Sequence, residues 1–197
     1  MILSRRIAWL LGRWVTRITD ECRPTVYQIL MKLMEDEDLV IQMTAADGLS
    51  KIIDDLNFDI APFASYVPIC IRLLFQLLEK CHEVPSKMQL INNLAIIIDQ
   101  AHSEIHPFAK QILESLAKLW NTNTEEKGMV MSAIIRSIER LVLALGYKTA
   151  QFYDILLPMI RISTDITAHE SIYTMEDGLS VWLHICTLFF LYFILNQ

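Results

Sequence analysis

Glycine is scarce, with five in 197 residues, and none joins two β-branched runs. Sustained apolar–polar alternation is absent too. Together these absences exclude hairpins and meanders as the organising elements. The four cysteines, Cys22, Cys70, Cys81 and Cys186, show no C-x-x-C spacing. They read as reduced, buried thiols of an intracellular protein. No G-x-x-x-x-G-K-[ST], G-x-S-x-G or G-x-G-x-x-G occurs, so neither a phosphate cradle nor a nucleophile elbow has support. His102 and His106 stand one turn apart, but the pattern is not H-E-x-x-H and Pro107 interrupts the helix, which reads as a helix junction rather than a zinc site. Cys81-His82 lacks a second Cys/His pair. No catalytic residue, cofactor or metal is expected, and the chain does not read as an enzyme.

What is present is helical periodicity. In Asp38–Asp59, the residues Ile41, Ala45, Leu49, Ile52 or Ile53, and Leu56 recur at three- and four-residue steps and make one apolar stripe. Gln42, Asp47, Lys51, Asp54 and Asp55 fall mostly off it. Asp47 precedes Lys51 by one turn, the helix-supporting order. The segment then repeats. DGLS occurs at Asp47–Ser50 and Asp177–Ser180, and Ile52-Ile53-Asp54 returns 45 residues later as Ile97-Ile98-Asp99. Phe63, Phe108 and Tyr153 follow the same step. Periods of about 40–47 residues built from helix pairs mark HEAT or armadillo solenoids. With 53% apolar residues to fill a continuous core, the expected fold is all-α, a HEAT/armadillo-type solenoid of about four helix pairs.

The formal net charge of −6 argues against direct nucleic-acid binding and for a basic protein partner. It is unevenly spread: Arg5, Arg6, Arg13 and Arg17 occupy an acid-free start, whereas residues 20–60 hold ten acids against three bases. The run Glu35–Asp38 reads as a turn and helix start, where carboxylates meet the positive helix end. The alternating oxygen ligands and glycine of a calcium loop are missing from it.

At the start, Ile7, Leu10, Leu11, Trp14 and Ile18 suggest a core-facing stripe. This segment is the second helix of a repeat or, alternatively, a mitochondrial presequence. Pro24 and Pro85 open helices, and Pro68 either kinks a helix or sits in its first turn. Asn121–Lys127 reads as a polar loop, and Gly146 as a C-cap. Trp9, Trp14, Trp120 and Trp182 read as core. Gly48 and Gly178 imply close helix approach, since glycine inside a helix otherwise costs about 1 kcal/mol. Solenoid is expected over residues 1–185 and an apolar tail over 186–197. From Val181 to Leu195 only His184 and Thr187 interrupt the apolar run, which is short of the roughly 20 residues of a membrane span. A membrane anchor and a terminus foreign to the repeat both remain open.

RRIAWLLGRW at Arg5–Trp14, DLVIQMTAADGLSKIIDDLNFD at Asp38–Asp59, LLFQLL at Leu73–Leu78, LLPMIRISTD at Leu156–Asp165 and MEDGLSVWL at Met175–Leu183 resemble the importin-β (karyopherin) family. The series covers roughly residues 5–183. A HEAT second helix of that family carries Asp before V-R-x-x-A-A-x-x-L; here Asp38 and Ile41-Gln42 precede Ala45-Ala46 and Leu49. Gln42 in place of arginine implies a weakened Asp–Arg ladder. The resemblance implies a nuclear transport receptor that wraps protein cargo and releases it on binding the GTP-loaded Ran GTPase. It also implies contacts with nuclear-pore proteins and residence in nucleus, cytoplasm and nuclear envelope. Second helices line the concave face in this family, which would put Asp47, Asp54, Asp55, Glu176 and Asp177 on or near the wall facing basic cargo. Full members are several times longer, so the chain is read as an internal fragment. The alternatives are a HEAT scaffold without a transport role and a mitochondrial or membrane-attached protein.

Overall fold

The computed structural model describes residues 2–121 and 127–195, and these contain helices and turns but no strand. The helices are α1 (Ile2–Arg13), α2 (Arg23–Met34), α3 (Leu39–Ile53), α4 (Val67–Lys80), α5 (Val84–Ala101), α6 (Ala109–Trp120), α7 (Lys127–Leu145), α8 (Tyr153–Ser163) and α9 (Ser171–Leu195). Short 3₁₀ turns join several of them. Most of the loop expected at Asn121–Lys127, the end of the apolar tail and several of its side chains lie outside the described residues; Lys127 itself opens α7.

The starts follow local chemistry. Asp38 caps α3, its carboxylate accepting the Val40 amide at 2.8 Å. Pro24, Pro68 and Pro85 each sit in the first turn of α2, α4 and α5, where the missing N–H has no helical partner to lose. Pro68 therefore opens a helix rather than kinking one. Gly146 follows α7 with φ +57°, the left-handed cap that glycine adopts without strain.

Two compact units are present, Met1–Glu104 and Ile105–Gln197. In the first, α2 packs on α3 and α4 on α5; α2 touches α4, while α1, α3 and α5 stack in sequence. In the second, α6 packs on α7 and α8 on α9, with α6 against α8 and α7 against α9. Each unit is thus a two-layer stack of helical hairpins, with a first layer of even-numbered helices and a second layer of odd-numbered ones. Second-layer helices from α3 onward open at Leu39, Val84, Lys127 and Ser171, 43–45 residues apart. This is an all-α arrangement of HEAT/armadillo type with four helix pairs.

Ile41, Ala45, Leu49, Ile52 and Ile53 are buried as the periodicity requires. Leu56 is not: α3 ends at Ile53, and Leu56 projects fully exposed from the following turn. Gln42, off the apolar stripe, is buried. Its amide donates to the Asp36 carbonyl and its Oε1 accepts from Lys80 Nζ at 3.5 Å. A shared glutamine therefore ties one hairpin to the end of α4, by neutral hydrogen bonds at the position where the Asp–Arg ladder was expected to be weakened.

The start of the chain is the main correction. Helix α1 buries Ala8 and Gly12, whereas Ile7, Leu10 and Trp14 of the expected core stripe are exposed and Leu11 and Ile18 are half-buried. The reason is the approach of α1 to α3. A Cβ on Gly12 would lie 2.8 Å from the Gly48 Cα, and one on Gly48 would lie 3.1 Å from the Ala8 carbonyl oxygen. Only small residues admit that crossing, so the bulky face turns outward. Trp9 is exposed as well, with the Arg13 guanidinium 5.9 Å from its ring centre; Trp120 is buried and Trp182 half-buried. Gly178 sits equally close to a neighbour, against Ser163 and Thr164 at the end of α8.

Candidate functional site

The five candidate carboxylates stand on or just after second-layer helices. Asp47, Asp54 and Asp55 belong to the first unit, and Glu176 and Asp177 to the second. Their environments differ, and the difference separates carboxylates occupied inside the fold from those facing solvent.

Asp55 is the most deeply engaged. Its Oδ2 accepts from Arg23 Nη2 at 2.8 Å, and Arg23 Nε donates to Asp20 Oδ1 at 3.1 Å. Arg23 is 5% exposed and the Asp55 side chain 9%, so this is a desolvated, charge-assisted contact. The hydrogen bond from Arg23 holds the Asp55 carboxyl below the usual carboxylate range, against burial that pulls the other way. Tyr27, which interacts with Arg23, belongs to an aromatic cluster: its ring lies 4.9 Å from Phe63 and 5.8 Å from Tyr66, and Phe58 5.7 Å from Phe63. Arg23 and Asp55 thus clamp the turn after α3 to the start of α2.

Asp177 is occupied across the α7–α9 seam, accepting from Ser132 Oγ at 2.7 Å with Arg136 Nε 3.9 Å away. Farther along the same seam Ser180 donates to Glu139 Oε1, and His184 Nδ1 lies 3.3 Å from that oxygen. In the first unit Ser50 of α3 donates to Asn93 of α5 at 3.1 Å. These second-layer bridges join residues 41–45 positions apart, about one repeat. No local periodicity marks them; the shared spacing of the repeat was the available signal.

Asp47 pairs with Lys51 one turn on, and both are partly exposed. Asp54 and Glu176 are exposed. Beside Asp47 a groove of ≈ 610 Å³ opens, lined by Trp9, Val40, Met43, Asp47, Lys80 and Glu83 among others. It combines exposed apolar contacts with charges of both signs, suited to a side chain of mixed character rather than to a small anion or metal. His106 uses both ring nitrogens inside its own unit: Nε2 lies 2.9 Å from the Ala144 carbonyl and Nδ1 3.1 Å from Lys148 Nζ. Nε2 therefore carries the hydrogen and Nδ1 accepts. Among the described residues no group of three or more His, Cys, Asp or Glu could hold a metal ion, and no helix is long and apolar enough to cross a membrane.

A family profile described as "Importin-11-like, TPR repeats" matches residues 132–187, which run from α7 into α9. Importin-11 of Homo sapiens is 34% identical over 182 residues, covering 92% of this chain and 19% of that protein. Importin beta-like protein KAP120 of Saccharomyces cerevisiae is 25% identical over 187 residues, or 92% of this chain and 18% of the relative. Importin beta-like protein kap113 of Schizosaccharomyces pombe is 21% identical over 189 residues, with 92% and 19% covered. The chain spans about a fifth of the length of the curated relatives it matches, and it is homologous to importin-11-like proteins of the importin-β family over that part. No solved structure matches.

Proposed function

We propose that this chain is a segment of a nuclear import receptor whose second-layer helices present carboxylates to basic protein cargo. The observation that carries the reading is homology to importins along 92% of the chain, together with helical hairpins that recur every 43–45 residues. Asp54 and Glu176, exposed on or beside α3 and α9, make the first electrostatic contact. Asp47 contributes when Lys51 is displaced, while Asp55 and Asp177 hold the wall in shape. Such contacts raise the rate of encounter more than final affinity and weaken with salt. The repeat region runs over residues 1–185, with residues 186–197 an apolar extension. In the longer protein, Ran in its GTP form releases the cargo, nuclear-pore proteins are further partners, and the receptor moves between cytoplasm and nucleus through the envelope.

The test is fluorescence anisotropy of a labelled lysine-rich peptide with the whole chain at low and moderate salt. Saturable, salt-weakened binding that falls about tenfold in Asp54→Lys/Glu176→Lys supports the reading, since two lost attractive contacts are together worth about 1.4 kcal/mol. A second reading, a HEAT scaffold without a transport role, is favoured by the internal partners of Asp47, Asp55 and Asp177. Binding indifferent to salt and to the two reversals would select it.

A further inference from the structure

His106 is half-buried on the turn His102–Phe108 that leads into α6. Its Nε2 donates to the Ala144 carbonyl at 2.9 Å, near the end of α7. Its Nδ1 accepts from Lys148 Nζ at 3.1 Å, on the turn Gly146–Phe152 that joins α7 to α8. An ammonium group has protons to give and no lone pair to offer, so this contact exists only while the imidazole is neutral. A proton added to Nδ1 fills the accepting lone pair and sets two cations face to face. On the same turn His102 and Glu104 are exposed. The ionisable groups on neighbouring elements are Lys110 on α6, Arg140 on α7, Tyr147 beside Lys148, Asp154 on α8 and His184 on α9. Among the described residues none of these is in hydrogen-bond or ion-pair contact with His106 or Lys148.

The turn that carries Lys148 is tied back to α7 by Thr149, whose Oγ1 donates to the Val142 carbonyl at 3.3 Å. It also walls a cleft of ≈ 320 Å³, together with Tyr153 of α8 and Leu188 and Phe189 of α9. We propose that His106 and Lys148 form a proton-operated latch: the neutral ring holds the α7–α8 turn against the entry to α6, and protonation releases Lys148 and frees that wall of the cleft. The same unit holds the opposite arrangement at the α7–α9 seam, where His184 Nδ1 lies 3.3 Å from Glu139 Oε1. A proton on His184 turns that contact into an ion pair. Acid thus loosens one contact and tightens the other, so the pH dependence of the whole chain does not report the latch by itself. The latch uses none of the carboxylates of α3 and α9, and it stands or falls independently of the transport reading.

A double-mutant cycle isolates it. The whole chain, Lys148→Met, His106→Phe and the double variant are unfolded in urea at about pH 8 and about pH 5, either side of the ordinary imidazole value of about 6.5. Methionine keeps the length of the lysine stem without its charge, and phenylalanine keeps a ring that cannot titrate. At the higher pH the two sites should be coupled favourably, by about fivefold in the folding equilibrium. At the lower pH the coupling should vanish or change sign, because the parent then opposes two cations. Coupling of the same size and sign at both values, or none at either, overturns the proposal. A second measurement needs only the parent chain. Nitrogen-15 shifts of the His106 ring should report hydrogen on Nε2 at about pH 8, and the backbone amide signals of residues 146–152 should move in step with protonation of that ring. Hydrogen on Nδ1 in the neutral ring, or amide signals that stay still while His106 titrates, overturns it.

Discussion

Replacing Gly12 with alanine tests the packing argument where two opposing effects can be weighed. Alanine gains roughly 1 kcal/mol of helix propensity over glycine, so an uncrowded helix would become more stable. Here the new methyl would lie 2.8 Å from the Gly48 Cα, whereas carbon atoms rest about 3.5–4.0 Å apart. The obstacle is backbone and cannot swing aside, so α1 must retreat by roughly 1 Å and loosen the whole α1–α3 seam. Overpacking of this kind costs about 1–3 kcal/mol. With an obstacle this rigid the cost falls in the upper part of that range, leaving a net loss of about 1–2 kcal/mol. Thermal melts should shift down by roughly 2–8 °C, and amide exchange in α1 should lose about 5–30-fold of its protection. Gly48→Leu should lose more, because its Cβ meets the Ala8 carbonyl and Leu30. Gly128→Ala is the control. Its methyl would meet the half-exposed Tyr173 side chain rather than backbone, and a side chain yields more readily, so the loss should be smaller than at Gly12. A Gly12→Ala protein as stable as the parent, with unchanged exchange in α1, would refute the close-approach reasoning.

The Arg23–Asp55 clamp makes two further predictions. Asp55→Asn leaves buried Arg23 with only the solvent-exposed Asp20 as an anionic partner and should cost about 1–3 kcal/mol by urea titration. Because the folded-state pKa of Asp55 is depressed, its stabilisation is full above the unfolded value of about 3.9 and is lost as pH falls through the lower folded value. The stability gap between parent and Asp55→Asn should therefore narrow only below about pH 4; a gap constant down to pH 2 would contradict the assignment. Burial pushes the Cys70 thiol up to about 12, while Cys22 and Cys186 are exposed. An aromatic disulfide reagent should label Cys22 and Cys186 rapidly in the folded chain and Cys70 only after denaturation.

Much of the fold was legible because the signals were local. Prolines in first turns, the Asp38 cap and the return of Ile-Ile-Asp after 45 residues each mark a helix or a repeat without reference to distant contacts. What misled was the inference from an apolar stripe to a buried one. In α1 the largest apolar arc faces solvent, because burial there is decided by how closely two backbones approach. Gly12 was the relevant residue, and its meaning depended on Gly48, 36 positions away. Leu56 continued the stripe on paper but lay beyond the last turn of α3. Among the candidate carboxylates, residue type and helix assignment were readable. Their occupancy was not: Arg23 reaches Asp55 from 32 positions away and Ser132 reaches Asp177 from 45. Such pairings emerge only once hairpins stack.

In the proposed reading, odd-numbered helices of each unit carry a surface for a basic partner. Hydrogen-exchange mass spectrometry of the whole chain, with and without a saturating lysine-rich peptide, tests it most directly. Added protection is expected at the end of α3 around Asp54 and in α9 around Glu176, with the first-layer helices α2, α4, α6 and α8 unchanged. Protection confined to the first layer, or none at saturation, would contradict it.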